Sequence, residues 1–137
     1  MVRPITNLLH LQHVVRARLR HALADLDLTP VQNTVLHLVA DSPGISSAEL
    51  ARHTLVTAQT MHRLVTELEH RHLLALQPRP GHGRIRDAHL TDQGRALMAA
   101  ADSLTRALDD RMTAELDPHQ RQQLAELLQA CITALDR

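Results

Sequence analysis

Apolar side chains recur at three- and four-residue steps over Ile5, Leu8, Leu9, Val15, Leu19, Ala22, Leu23 and Leu26. That is the spacing of one face of an α-helix, so the pattern predicts an amphipathic helix over residues 5–26. Thr29 and Pro30 then supply an N-cap and a first-turn proline. Val31, Val35, Leu38 and Val39 form the inward stripe of a second helix that stops near Asp41-Ser42-Pro43-Gly44. Ser46 with Glu49 reads as a capping box, braced by a hydrophobic staple between Ile45 and Leu50, and opens a short third helix. The same grammar returns at Val56 to Met61. Thr57 caps, Val56 staples to Met61, and Met61, Leu64, Val65 and Leu68 mark the buried face of a fourth helix reaching about Arg71. Only His53 to Val56 separates the third helix from the fourth, the short connection of a helix-turn-helix.

Beyond the fourth helix the pattern shortens to two strand-like runs, Leu73–Gln77 and Ile85–Leu90. They flank Pro78-Arg79-Pro80-Gly81-His82-Gly83-Arg84, which reads as a β-hairpin with an arginine-bearing tip. Thr91 caps a long helix with Leu97, Ala101, Leu104, Leu108 and Met112 inward. Asp117-Pro118 opens a last helix with Leu124, Leu127, Leu128, Cys131 and Leu135 on its stripe. The fold class is therefore mainly α: a winged helix-turn-helix of about six helices with a two-stranded hairpin wing.

The chain has 137 residues, the size of one domain, and its 15 basic and 15 acidic residues cancel. No run approaches the ~18 consecutive apolar residues that span a bilayer, and Met1 to Pro4 opens without a long apolar signal region. A cytoplasmic protein is expected. One cysteine, Cys131, forms no intramolecular disulfide and fills no four-ligand zinc site alone. On the apolar stripe of the last helix it is expected to be buried and inert. The complete absence of Phe, Trp and Tyr excludes readers of single strands that stack bases on aromatic rings. All 15 basic residues are arginine, forks suited to phosphate and guanine, although a GC-rich genome produces the same bias. The zero total hides a gradient: residues 52–95 hold seven Arg against four acids, and residues 96–137 hold four Arg against seven acids. A local phosphate-binding face on a solvated helical scaffold has that distribution.

A helix fits the major groove of B-DNA, and a basic hairpin tip reaches an adjacent minor groove or phosphates. On the fourth helix Thr57, Gln59, Thr60, His62, Arg63 and Thr66 are available. Gln59 can pair bidentately with adenine and Arg63 with guanine, while Thr57, Thr60 and the helix N-terminus hold phosphate. Arg79, Arg84 and Arg86 are the wing candidates. The same groups also suit a solvated helix face and turn, and winged helices serve as protein-interaction modules as well. An enzyme has little support, since no Ser/His/Asp or Cys/His arrangement stands out and Asp109-Asp110 point apart on a helix. Of the eleven histidines, His10 and His13 have a permissible ligand spacing, but nothing completes a set, so no metal and no cofactor is expected. Histidines on the DNA face, His62, His70 and His82, would add positive charge on acidification, so DNA affinity is expected to rise modestly from pH 8 to 6.

The run from Leu28 to Ala101 resembles the MarR family of transcriptional regulators. Leu28-Thr29-Pro30-Val31-Gln32-Asn33-Thr34-Val35-Leu36, Glu49-Leu50-Ala51, Thr60-Met61-His62-Arg63-Leu64-Val65-Thr66-Glu67-Leu68-Glu69 and His89-Leu90-Thr91-Asp92-Gln93-Gly94 carry the resemblance. It implies a single domain over 1–137, with a DNA-binding lobe at 29–91 and dimerisation helices at 1–28 and 92–137. It further implies a homodimer, double-stranded DNA with a palindromic operator as partner, repression, and in many members release by a small ligand or oxidant. The rival expectation is a winged-helix dimer without DNA binding, serving protein interaction or ligand binding. The family's recognition positions fall on Thr57, Gln59, Thr60 and Arg63, and its wing arginine on Arg84. His82 stands where the family's wing aspartate would brace that arginine. Leu55 and His72 stand where the family often has glycines, so a left-handed backbone there carries strain. The family's ligand crevice would lie near His10, His13, Arg16, Arg20 and His37. Its oxidant-sensing members keep their thiol in the first helix, where this chain has none.

Overall fold

The computed structural model describes residues 1–137. Six helices run in chain order as α1 (Pro4–Ala24), α2 (Pro30–Asp41), α3 (Ser47–Thr54), α4 (Ala58–His70), α5 (Asp92–Met112) and α6 (Pro118–Leu135). Three short strands, β1 (Ile45–Ser46), β2 (Leu74–Pro78) and β3 (Arg86–Leu90), form one antiparallel sheet in the order β1-β3-β2. Two compact units divide within α5, Met1–Thr105 and Arg106–Arg137.

In the first unit the caps fall where the sequence puts them. Thr29 and Gln32 exchange both bonds of a capping box at α2, and the Oγ of Thr57 accepts from the Thr60 amide at 3.1 Å to start α4. The Oγ of Ser46 accepts from the Glu49 amide at 3.3 Å, but the Glu49 carboxylate turns toward Arg79 instead of closing the box. Leu23, Leu36, Leu50, Met61, Leu68 and Leu74 are fully buried, with Val35 and Val39 between them. A core without rings is thus filled by aliphatic side chains from every element of the lobe, each contributing about 1.5–3 kcal/mol of burial.

Three departures have local causes. α1 ends at Ala24 rather than Leu26, because Asp27 takes a left-handed φ of 57° and the Leu28 amide turns back to the Leu23 carbonyl. A short polar residue tolerates that backbone. β1 is too short to leave a period, and its residues read as a helix cap. It pairs Ile45 with Ala88 and Ser46 with Asp87, making a three-stranded sheet of the expected hairpin. Of the hairpin strands, β2 lies one residue later than the pattern suggests and β3 begins one residue later while ending at Leu90 as expected, with Leu74 opposite Leu90 and Pro78 opposite Arg86.

Thr91 caps α5 through its hydroxyl, which accepts from the Gly94 amide at 3.0 Å and donates to the His72 carbonyl at 2.6 Å. Gly94 is buried there, and a Cβ on it would overlap the carbonyl oxygen of Leu73. The Thr-x-x-Gly sequence is therefore a docking device that lets the start of α5 lie on the start of β2. Along α5, Ala101 is buried and Leu97 half-buried, while Met112 is exposed rather than inward.

In the second unit Asp117 and Gln120 exchange capping-box bonds at α6, and Arg121 Nε donates to the carbonyls of Thr113 and Leu116, closing the turn. No residue of α6 is buried within the chain. Leu127, Leu128, Ile132 and Leu135 are exposed on the single chain, and so is Cys131, whose burial on that stripe would need a second copy. The stripe is real, but nothing within the second unit covers it. α1 shows the same property, with Ile5, Leu8, Leu9, Leu11 and Val14 exposed.

Candidate nucleic-acid interface

Met61, Val65 and Leu68 seat α4 in the core and so fix which residues it turns outward. Thr57, Gln59, Thr60, His62 and Arg63 are exposed, and Thr66 is half-buried. Gln59 and Arg63 stand one turn apart and share a ridge. Neither enters an ion pair or side-chain hydrogen bond of the chain, so both heads are free to meet base edges. The threonines are more committed. Thr57 Oγ1 accepts from the Thr60 amide and donates to Thr60 Oγ1 at 2.9 Å, and Thr66 Oγ1 donates back to the His62 carbonyl at 2.8 Å. Thr57 therefore serves first as the cap. The amides of Ala58 and Gln59 at the start of α4 remain as donors for a phosphate, favoured by the helix dipole.

The turn that sets α4 at its angle to α3 passes through Leu55, with φ 59° and 92% of its surface exposed. His72, which starts the chain back into β2, has φ 60°. Both positions have the left-handed backbone anticipated for sites where a glycine is usual, at a cost of roughly 1–2 kcal/mol each.

The wing arginines separate into three kinds. Arg84, at the tip, is exposed and has no ion-pair or hydrogen-bond partner. Arg86 lies 3.8 Å from Glu69 of α4, with both side chains well solvated. Arg79 is engaged at the wing base: its Nε donates to Asp87 Oδ1 at 2.7 Å and its Nη2 to the Gly44 carbonyl at 3.1 Å, with Glu49 Oε1 at 3.8 Å. Between them, Gly81 and Gly83 take φ of 76° and 57° in open space, so glycine lets the tip turn tightly with nothing packed on it. Asp87, Glu49 and Gly44 are not among the DNA-binding residues expected from sequence, where Glu49 and Gly44 figure only as a helix cap and a helix stop. The hairpin register alone points to Asp87, because it lies opposite Gln77 and so diagonal to Arg79 on one face.

Of the five residues expected near a ligand crevice, three come together. His13, Arg16 and Arg20 of α1 line an open cleft of about 740 Å³, with Pro30, Val31, Thr34, His53, Thr54 and Val56 on its other sides. Cations and imidazoles set against Leu19, Val31 and Val56 suit a small organic anion with an apolar body. His10 and His37 do not line it. His37 is drawn instead between the Asn33 carbonyl and Asp102, a carboxylate on α5 that no sequence pattern marks as its partner. No group of three or more His, Cys, Asp or Glu residues is placed to hold a metal ion, and no helix is long and apolar enough to cross a membrane.

Known proteins share this arrangement. The sequence model of the MarR family matches residues 26–85. The HTH-type transcriptional repressor Rv2887 of Mycobacterium tuberculosis is 38% identical over 116 residues, which span 85% of this chain and 84% of that protein. The structure of Rv2887 in complex with DNA superposes with a TM-score of 0.83 at 34% identity, covering 96% of this chain and 98% of that one. Its complex with salicylic acid gives 0.77 at 34% identity, covering 96% and 97%. On this identity and coverage, the chain belongs to the MarR family.

Proposed function

We propose that this protein is a sequence-specific double-stranded DNA-binding regulator that represses transcription as a homodimer on a palindromic operator in the cytoplasm. The observation that carries the reading is the outward ridge of Gln59 and Arg63 on α4, held by a buried Met61-Val65-Leu68 face beside a tip arginine, Arg84, that has no partner within the chain. Residues 29–91 act as the DNA-binding lobe, and 1–28 with 92–137 supply the dimer contacts. Similarity to a repressor, and to a structure of it in complex with DNA, supports this reading. The dimer follows from the apolar stripes that α1 and α6 leave open, since a soluble monomer rarely exposes contiguous apolar faces of that length.

The effector in this reading is a small aromatic or aliphatic carboxylate bound in the cleft that His13, Arg16 and Arg20 line. Similarity to a relative crystallised with salicylic acid supports that class. The test is binding of the purified protein to a duplex from its own promoter, with and without an arylcarboxylate. Specific binding that weakens as the acid is added is the expected result. Retention of the acid without any affinity for DNA would instead favour a ligand-binding module.

A further inference from the structure

Arg79 is the one wing arginine whose guanidinium donates hydrogen bonds within the chain, and its partners come from three separate places. Asp87 is on β3, Gly44 precedes β1, and Glu49 is in the first turn of α3. Its backbone closes the wing as well, with the Arg79 amide donating to the Ile85 carbonyl at 2.9 Å. Arg79 and Asp87 are both about three-quarters covered at this junction, where charged hydrogen bonds are strengthened. Beyond it the tip is held only by its own backbone, the His82 amide donating to the Arg79 carbonyl at 3.2 Å and the Ile85 amide to the His82 carbonyl at 3.1 Å, with no side chain bracing it: Gly81 and Gly83 face open space, and His82 offers Arg84 no carboxylate.

We propose that Arg79 is a positioning residue for DNA binding rather than a phosphate contact, and that the Asp87-Arg79-Gly44 clamp at the wing base sets where Arg84 is presented. The inference rests on the DNA-binding reading above. A phosphate competing for the Nε and Nη2 donors of Arg79 would have to displace the Asp87 carboxylate and the Gly44 carbonyl, whereas Arg84 gives up nothing. The clamp also anchors the wing to the segment leading into α3, so the pose of the wing follows the helix-turn-helix. A brace at the base thus does the work that a brace at the tip cannot do in this sequence.

Asp87 separates this proposal from simple electrostatics because the two predict opposite signs. Removing an acid beside DNA strengthens phosphate binding if charge alone matters. If the clamp positions the wing, Asp87→Asn weakens operator binding by about 3- to 10-fold despite the lost negative charge, and Asp87→Glu restores most of it. Coupling to the tip distinguishes positioning from loss of stability. Arg84→Ala is expected to cost about 10-fold in the wild-type background and under about 2-fold beside Asp87→Asn. Hydrogen exchange of the intact protein without DNA gives an independent reading, in which the Arg79 and Ile85 amides exchange faster in Asp87→Asn while the α4 amides do not. Equal or tighter operator binding by Asp87→Asn, an Arg84→Ala penalty of the same size in both backgrounds, or unchanged wing exchange would each overturn the clamp. If the wild type bound no duplex at all, the DNA-binding reading would fail, and the exchange data would still decide whether the clamp holds the wing.

Discussion

His37 Nε2 lies 2.7 Å from Asp102 Oδ1, while its Nδ1 lies 2.8 Å from the Asn33 carbonyl. Each ring nitrogen faces an acceptor, and only the imidazolium can donate to both. Burial opposes that charge, but the Asn33 carbonyl and the Asp102 carboxylate, with Asp41 at longer range, outweigh it and raise the His37 pKa above 6.5. The pair ties α2 to α5 within the first unit.

A raised folded-state pKa means that the proton is bound more tightly in the native state. The stability it contributes is therefore fully present below the unfolded value of about 6.5 and is lost as pH rises through the folded value. Chemical denaturation of the wild type should show stability falling between pH 6 and pH 8.5 by more than in His37→Gln. Asp102→Asn should flatten the profile in the same way. Parallel profiles for all three proteins would show that the pair is not coupled to folding.

The strained turn at Leu55 yields a gain in stability without a new contact. Its side chain is 92% exposed, so little packing is lost on removal, while glycine adopts φ 59° without the Cβ penalty. Leu55→Gly should stabilise the protein by about 0.5–1 kcal/mol, and Leu55→Ala should give no such gain. Thermal melts of the two variants against the wild type check this.

Gly94 has the opposite sign. In an ordinary helix Gly→Ala stabilises by nearly 1 kcal/mol, roughly. Here the added methyl would overlap the Leu73 carbonyl oxygen, backbone that cannot move aside without parting α5 from β2. Gly94→Ala should destabilise by about 2–3 kcal/mol in urea titrations.

The open stripe of α6 gives a prediction about assembly. If a second copy covers it, Ile132→Asp places an unpaired charge in that contact and should shift the protein from dimer to monomer in sedimentation. Cys131, exposed on the single chain, should then react with thiol reagents faster in Ile132→Asp than in the wild type.

The elements that repeat a period over several turns were legible, because the buried faces of α2, α4 and α5 each recur at helical spacing and their caps use residues whose chemistry is local. β1 was not legible, since two residues carry no period and their pairing partner lies more than forty residues away, opposite Ala88. The site divides in the same way. Gln59 and Arg63 follow from helix geometry once Met61 is known to be buried. The fates of Arg79 and His37 depend on Asp87 and Asp102, which fold rather than sequence spacing brings to them. Cys131 shows the limit from the other side: its stripe predicted burial, and the partner that burial needs is not part of the chain.

The most direct test of the central claim is affinity for a duplex from the protein's own promoter across a salt series, for wild type, Arg84→Ala and Arg63→Ala. A DNA reader of this geometry should show log affinity falling linearly with log salt. Arg84→Ala should lower the slope by about one, while Arg63→Ala should relax the preference at one base pair by about 1–3 kcal/mol. A salt-independent signal, or slopes and preferences identical in all three proteins, would contradict it.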